Sequence, residues 1–505
     1  RSRPTEQAPF KQSNAMNQVK SQRLIIYIWL FLALAACQSS ERPIDRDNLE
    51  TASAELLGCL AMADQFRKIV DSEGVRNASA LALASVPMFH SNRFLDLLAK
   101  EAATESQTRQ WFSQSATLAA AVRGSENQNL EHPWSDSRLD RLNLCAENFA
   151  NHDEHINSRR QTLQQLPLIP DNYSSLPQWL GFNWLLRPIF KSRIELLHEE
   201  EKRLFDQTRP FDVSFSYKPK GTSHQKDSEI AQWFVDAYDA NPLKTPMLTD
   251  TQLSSLIALH RPRFTIEFKD DNDLIGQPVW QGEELAISLD KPTVYTLPSL
   301  TRFGTNNLLQ LNYVVWFSER KPTSSLDLYA GNIDGLIWRV TLDEQGKVLL
   351  YDSIHSCGCY HKYFIATDEV STRKLSLSEE PANIFTLANI NTKAGVHIRL
   401  TANEHCVVGV SDSDSELVNA KPYSTASYNE LSNLNYQGRS KSLFSGSGII
   451  IDSKRIERFT LWPTGIDSVG AMRQWGSHAT GFVEQQHFDD ATLLNHYFLR
   501  LNSRR

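Results

Sequence analysis

An α+β architecture is predicted, with a helical N-terminal domain followed by an antiparallel β-rich C-terminal domain. Three observations carry this expectation. From about Asn48 to Asp206 the chain is rich in Ala, Leu, Glu, Gln and Arg, with apolar residues three and four apart. After Phe211 the text changes to short runs of Val, Leu, Tyr and Trp divided by turn residues. No repeat of fixed period runs through the 505 residues, which argues against a solenoid or propeller. A hydrophobic content of 41% with 11 Trp supplies enough apolar surface for a packed core.

Taken in order, helical spacing is read over Ala54–Val70, Leu95–Val122 and Leu139–Leu166, with Pro87, Pro133, Pro167, Pro170 and Pro177 marking connections. Trp179–Leu197 is apolar on most of its circumference, and burial in the core is expected in preference to contact with lipid. Residues 207–263 form a mixed connecting region with helices around Ile230–Tyr238 and Asp250–His260. The β-rich domain then spans 264–505, beginning with Phe264–Phe268. Its clearest block is a predicted meander, Leu309–Phe317, Leu326–Ala330, Leu336–Leu342 and Val348–Ile354, with turns at Asn332–Gly335 and Asp343–Gly346. Strands follow at Ile384–Ala388, Val396–Ala402, Cys406–Val410, Gly448–Asp452 and Phe459–Trp462, and a helix near Asp489–Leu501 closes the chain. Ser411–Glu416 and Ser424–Ser447 read as surface loops.

The N-terminal segment has a different grammar. Residues 1–15 fit no signal pattern and are excluded from the fold. In 16–36, Lys20 and Arg23 precede thirteen apolar residues, Leu24–Ala36, well short of the ~20 needed to cross a bilayer. Leu34-Ala35-Ala36-Cys37 then resembles the lipobox of bacterial lipoproteins. The resemblance implies cleavage before Cys37 and lipidation of that residue as a diacylated, N-acylated anchor. Residues 37–50 would be anchor and tether, and 51–206 the helical domain. Gln38 in place of Asp favours sorting to the outer membrane, facing the periplasm, within the same resemblance. Loss of 1–36 removes Arg1, Arg3, Lys11, Lys20, Arg23 and Glu6, leaving 47 basic against 58 acidic residues, a net of −11. That balance argues against a nucleic-acid partner, which needs a basic footprint.

The densest chemistry is His355-Ser356-Cys357-Gly358-Cys359-Tyr360-His361. Imidazole and thiolate suit zinc or copper, so His355, Cys357, Cys359 and His361 are candidate metal ligands, with His405 as a donor from elsewhere. On a straight strand the outer pair would lie about 20 Å apart, so chelation requires a turn at Gly358. Two other readings stand beside it. In an oxidising compartment thiols pair: Cys59 with Cys145, and one of Cys357 or Cys359 with Cys406. Alternatively one thiol is a nucleophile with His355, His361 or His478 as base. Weaker patterns are His152 and His155, His198-Glu199-Glu200 with Lys202 where a zinc-protease motif needs His, and the acidic turns at Asp270–Asp273 and Asp412–Asp414.

Gly470–Thr480 brings Arg473, Trp475 and His478 together. It reads as a cap over the sheet anchored by Trp475, or as a loop delivering Arg473 and His478 to a site. Together with Leu336–Leu342, Tyr351–His355 and the Cys-Gly-Cys-Tyr-His element, it resembles a group of uncharacterised proteobacterial lipoproteins, a likeness that transfers no catalytic residue and no substrate. The expected role is a membrane-anchored envelope binding or structural protein with a protein, glycan or lipid partner. The alternative is a periplasmic metal- or thiol-dependent hydrolase centred on the His-x-Cys-x-Cys-x-His element.

Overall fold

The computed structural model describes residues 54–501, apart from 84–85, 152–168, 170, 208, 222, 377, 388, 414–416 and 418. Cys37, the expected leader at 16–36, and His152 and His155 lie outside the described residues. Ser53–Arg505 clusters as one compact unit, distinct from Arg1–Ala52.

The α+β expectation holds. Helices α1 (Ala54–Glu73), α2 (Arg93–Glu101), α3 (Glu105–Asn129) and α4 (Asp136–Asn151) form the N-terminal part. Helix α3 starts at a capping box: Thr104 Oγ1 accepts from the Gln107 amide at 3.2 Å, and Gln107 Oε1 accepts from the Thr104 amide at 3.1 Å. Its buried side packs Trp111 and Phe112 against Phe89 and Phe149, with ring centroids 5.0–5.5 Å apart. The Cys59–Cys145 disulfide ties α1 to α4. Closing a loop of 86 residues removes freedom from the unfolded chain, worth about 2–4 kcal/mol.

Next come α5 (Ser175–Leu180), α6 (Asn183–Gln207), α7 (Asp227–Asp239) and α8 (Asp250–Leu259). The expected burial of Trp179–Leu197 is overturned. Helix α6 rests on the body through a strip including Asn183, Phe190, Ile194 and Glu201, while Trp184, Leu185, Ile189 and Leu196 point to solvent. The strip is too narrow to cover a helix that is apolar on several sides.

Eleven strands make one curled sheet: β1 (Ser214–Pro219), β2 (Arg263–Glu267), β3 (Thr293–Phe303), β4 (Asn306–Arg320), β5 (Gly331–Leu342), β6 (Val348–His355), β7 (Lys362–Ile365), β8 (Asn383–Thr386), β9 (His397–Leu400), β10 (Val407–Ser411) and β11 (Lys421–Ser427). Their spatial order is β8-β7-β6-β5-β4-β3-β11-β1-β2-β9-β10. The stretch from β3 to β7 is an antiparallel meander; β4, β5 and β6 fall on three of the four expected strands, while β3 and β7 were not among them. The whole sheet is mixed, because β7–β8, β3–β11, β11–β1 and β2–β9 pair in parallel. Strands β4, β5 and β6 are covered on both faces, which explains their unbroken apolar runs.

Several local expectations change. Leu326–Ala330 is a loop, held by the Asp327 carboxylate accepting from the Thr323 and Tyr329 amides. Asn332–Gly335, read as a turn, lies inside β5. Gly448–Asp452 and Phe459–Trp462 fall in short 3-10 turns and adjoining loop rather than strands. The closing helix α9 covers only Leu493–Tyr497, and Phe498–Arg500 pairs with Val370–Thr372. Ser424–Ser427, read as loop, is part of β11, which joins the two halves of the sheet.

One sheet face carries the largest core cluster, with Phe317, Trp338, Tyr351 and Phe364 among its members. The opposite face carries Trp316, Ile337, Ile354 and Met472, and a further cluster gathers around Tyr363 and Tyr497.

Candidate functional site

The His-x-Cys-x-Cys-x-His element sits where β6 ends and β7 begins, and the sheet sends its side chains to different places. After His355 the chain turns: the Gly358 amide donates to the His355 carbonyl at 2.8 Å, and the His355 amide donates to the Cys359 carbonyl at 3.0 Å. Gly358 has φ +93° and its place would set a Cβ 2.5 Å from the Ala479 carbonyl oxygen, so only glycine fits.

His355 faces the main core. Its Nδ1 is 3.9 Å from Asp334 Oδ1 and its Nε2 is 3.9 Å from Cys406 Sγ. Asp334, a residue that looked like part of a turn, is the hub. Its carboxylate meets His405 Nδ1 at 2.8 Å and accepts from Arg455 at 3.2 Å. His405 Nε2 in turn lies 3.4 Å from Asp273, and its ring stacks on Phe317 at 3.8 Å. Burial opposes ionisation of Asp334, but the His405 hydrogen bond and the Arg455 charge hold its carboxyl well below the ordinary range. Burial also works against the His405 cation, and the two flanking carboxylates outweigh it, raising its pKa. Asp334, His405, Asp273 and Arg455 therefore balance one another.

Cys406, His355 and Asp334 have the composition of a thiol triad without its activation. Burial pushes the Cys406 thiol up to about 12 and His355 down to about 3. A neutral imidazole beside a neutral thiol is the reverse of the thiolate–imidazolium pair that a nucleophile needs. Cys406 is unpaired with Cys357 or Cys359, all three being free thiols.

Cys357 and Cys359 point into the opposite core cluster. A hydrogen bond with Cys359 lowers the Cys357 thiol, with the Arg455 charge assisting, and the Cys359 thiol rises in consequence. His361 lies on that face too, but farther along. Its Nε2 is 2.8 Å from Asp352, which also takes a two-pronged bond from Arg339 at 2.9 and 2.6 Å. Burial opposes the Asp352 charge, yet Arg339 and His361 keep its pKa lowered. Arg339 further donates to the Phe488 carbonyl at 2.8 Å and lies 3.7 Å over the Phe488 ring. The candidate ligands His355, Cys357, Cys359, His361 and His405 are thus divided between the two faces: on a straight strand the four residues of the element, two apart, would share a face, and the turn between His355 and Lys362 separates them. Among the described residues no three His, Cys, Asp or Glu side chains are placed to hold a metal ion, so the geometry offers zinc or copper no seat.

Arg473 and His478 are buried as parts of a cap. The Arg473 amide donates to the Ser356 carbonyl at 2.7 Å and its guanidinium bonds the Asp467 and Ser468 carbonyls. His478 packs with Trp475 and Phe488.

Backbone strain gathers at the Asp334 end of the sheet. Ile333, Tyr360, Asn403 and His405 have φ between +49° and +63°, and for a β-branched Ile this is a true outlier. The ion network over-determines this backbone and keeps it there.

A groove of about 570 Å³ opens elsewhere, between α3 and the sheet face that holds Trp316. Helix α3 lines it with Gln114, Leu118, Ala121, Ser125 and Gln128, a single stripe at three- and four-residue spacing. Leu297, Ser299 and Gln310 form the floor, and Asn92, Asn429 and Trp475 the rim. Arg93 and Asp489, also at the rim, form an ion pair at 3.3 Å. No sequence signal marked it, because its residues come from many separate stretches of chain, from Asn77 to Asp489.

Comparison of the chain with protein-family models, with curated proteins and with solved structures finds no match. No helix among the described residues is long and apolar enough to cross a membrane.

Proposed function

We propose that the chain is a lipid-tethered, envelope-facing binding protein whose groove between α3 and the sheet takes a neutral polyhydroxylated ligand of the oligosaccharide class. The observation that carries this reading is the lining of that groove. Carboxamides and hydroxyls (Asn92, Gln114, Ser299, Asn429) stand beside a half-buried Trp475 and the apolar side chains of Leu118, Ala121 and Leu297, a combination suited to hydroxyl groups on one ligand edge and C–H faces on the other. The Arg93–Asp489 pair neutralises itself, which favours an uncharged ligand. The Cys59–Cys145 disulfide supports an oxidising compartment, and Leu34–Cys37 supplies the expected anchor. The neutral Cys406–His355 pair lends less support to the hydrolase reading.

The test is calorimetric titration of the chain from Gln38 onward with chitotetraose and maltotetraose, beside Trp475→Ala and Asn429→Ala. Saturable heat with one glycan, lost in Trp475→Ala, is expected. Flat titrations with both probes would defeat the reading.

A further inference from the structure

A second unusual surface lies away from the groove. Trp179 is 73% exposed, Phe182 60%, Trp184 66% and Ile189 59%, and Leu180, Leu185 and Leu196 are exposed with them. Helix α5 packs against the short turn Trp462–Thr464: Gln178 donates to the Thr464 carbonyl at 2.8 Å, and Gly181 lies so close to Pro463 that a Cβ would come within 2.5 Å of it. That contact brings exposed Trp462 and Phe459 alongside α5, so the apolar surface draws on two separate stretches of chain. Apolar patches of this extent on a folded body mark interaction surfaces.

Charge identifies the partner. The chain as a whole is acidic, with a net of −7. Between Asn172 and Ile194 there is no Asp or Glu, whereas Arg187 and Arg193 are exposed there; Lys191 is turned to the body, donating to the Ser376 and Glu379 carbonyls. Arg458, over the Phe459 ring at 4.5 Å, adds a cation beside the aromatic rim. Exposed Trp and Phe, aliphatic residues on the outer face of a helix and interspersed cations are the composition that seats in the interface of an anionic bilayer. Protein partners of a negatively charged body have no comparable reason to select this pattern.

We propose that α5, the first turns of α6 and the Phe459–Trp462 turn form a membrane-contact surface that lies on an anionic phospholipid bilayer. The chain between Cys37 and Ala54 spans at most about 60 Å, which is long enough to leave the orientation of the body free. The surface would fix that orientation and add a second attachment to the acyl anchor, since stable anchoring draws on two signals. This rests on the tethered reading only for the choice of bilayer.

The experiment uses the chain from Gln38 onward, without acyl groups, on sucrose-loaded phosphatidylcholine vesicles with and without phosphatidylglycerol. Sedimentation with the anionic vesicles is expected, weakening at high salt. Trp179→Ser/Trp184→Ser/Ile189→Ser together should reduce it at least tenfold, and Arg187→Gln/Arg193→Gln by about fivefold per cation, each with an unchanged melting temperature. Wild-type protein left in the supernatant with both vesicle types would overturn the proposal, as would equal binding by the triple variant. A dimer in sedimentation velocity that the triple variant abolishes, without vesicle binding, would make the surface a self-contact and also overturn it. Acylation of Cys37 is read separately, from the mass of the N-terminal peptide of the native protein, so failure of the tether and failure of the surface are distinguishable.

Discussion

The Asp334 end of the sheet and the α5–α6 surface are built from opposite materials placed in opposite surroundings. At the first, two carboxylates, two imidazoles, a thiol and a guanidinium are sealed inside the protein. At the second, tryptophans, a phenylalanine and leucines stand in solvent. Burial of charge is tolerated where each group finds an opposite charge within about 3 Å, as Asp334 does with His405 and Arg455. Exposure of apolar surface carries no such compensation inside the molecule, so its explanation lies outside the chain. On the proposals made above, the buried chemistry holds the architecture and the exposed apolar surface meets a bilayer.

The comparison is broken most sharply by Asp334→Ala. Leaving Arg455 a buried cation without its carboxylate, and His405 with Asp273 alone, should cost about 3–5 kcal/mol, read as a fall in the urea midpoint. Little change would mean that water reaches the cluster. Cys145→Ser should cost about 2–4 kcal/mol by freeing the loop to Cys59, measured in the same way and abolished under reducing conditions, where wild type and variant converge.

A third outcome concerns pH. The folded pKa of His405 is raised, so its contribution to stability is complete below the unfolded value near 6.5 and is lost as pH rises through the folded value. Glu126 and Glu380, raised by burial to about 7, lose stability in the same direction between about 4.5 and 7. Wild type should therefore weaken as pH rises from 6.5 through the folded value of His405, while His405→Gln keeps only the part that ends by about pH 7. Parallel melting profiles for the two proteins would show that His405 is not charged in the fold. The smallest effect belongs to the exposed surface: Trp184→Ser or Ile189→Ser should shift stability by no more than about 0.5 kcal/mol. A loss of several kcal/mol would mean that these side chains are packed after all.

Much of the fold was legible. Helices α1, α3 and α4 announced themselves by three- and four-residue spacing, although the spacing over Leu95–Val122 hid the break at Ala102–Thr104 that separates α2 from α3; β4, β5 and β6 did so by long runs of Val, Leu, Tyr and Trp. Strand β11 was hidden because Lys421-Pro422-Tyr423-Ser424-Thr425 carries turn residues, and its partners β1 and β3 are remote in sequence. Asp334 was taken for a turn residue because acidic strand residues are rare without a buried partner. That partner, His405, lies 71 residues away.

By itself the sequence determined the change from helical to β-rich text, the acidic balance, the Cys59–Cys145 pairing as an available staple, and the presence of an exceptional His/Cys element. These depend on local spacing and composition. Only the tertiary structure decided that the element is split across two sheet faces, that Trp184 and Ile189 are outside, and that many separate stretches of chain enclose a groove. The reason is physical: a side chain's charge state and usefulness depend on what surrounds it, and at these places the surroundings come from residues distant in sequence.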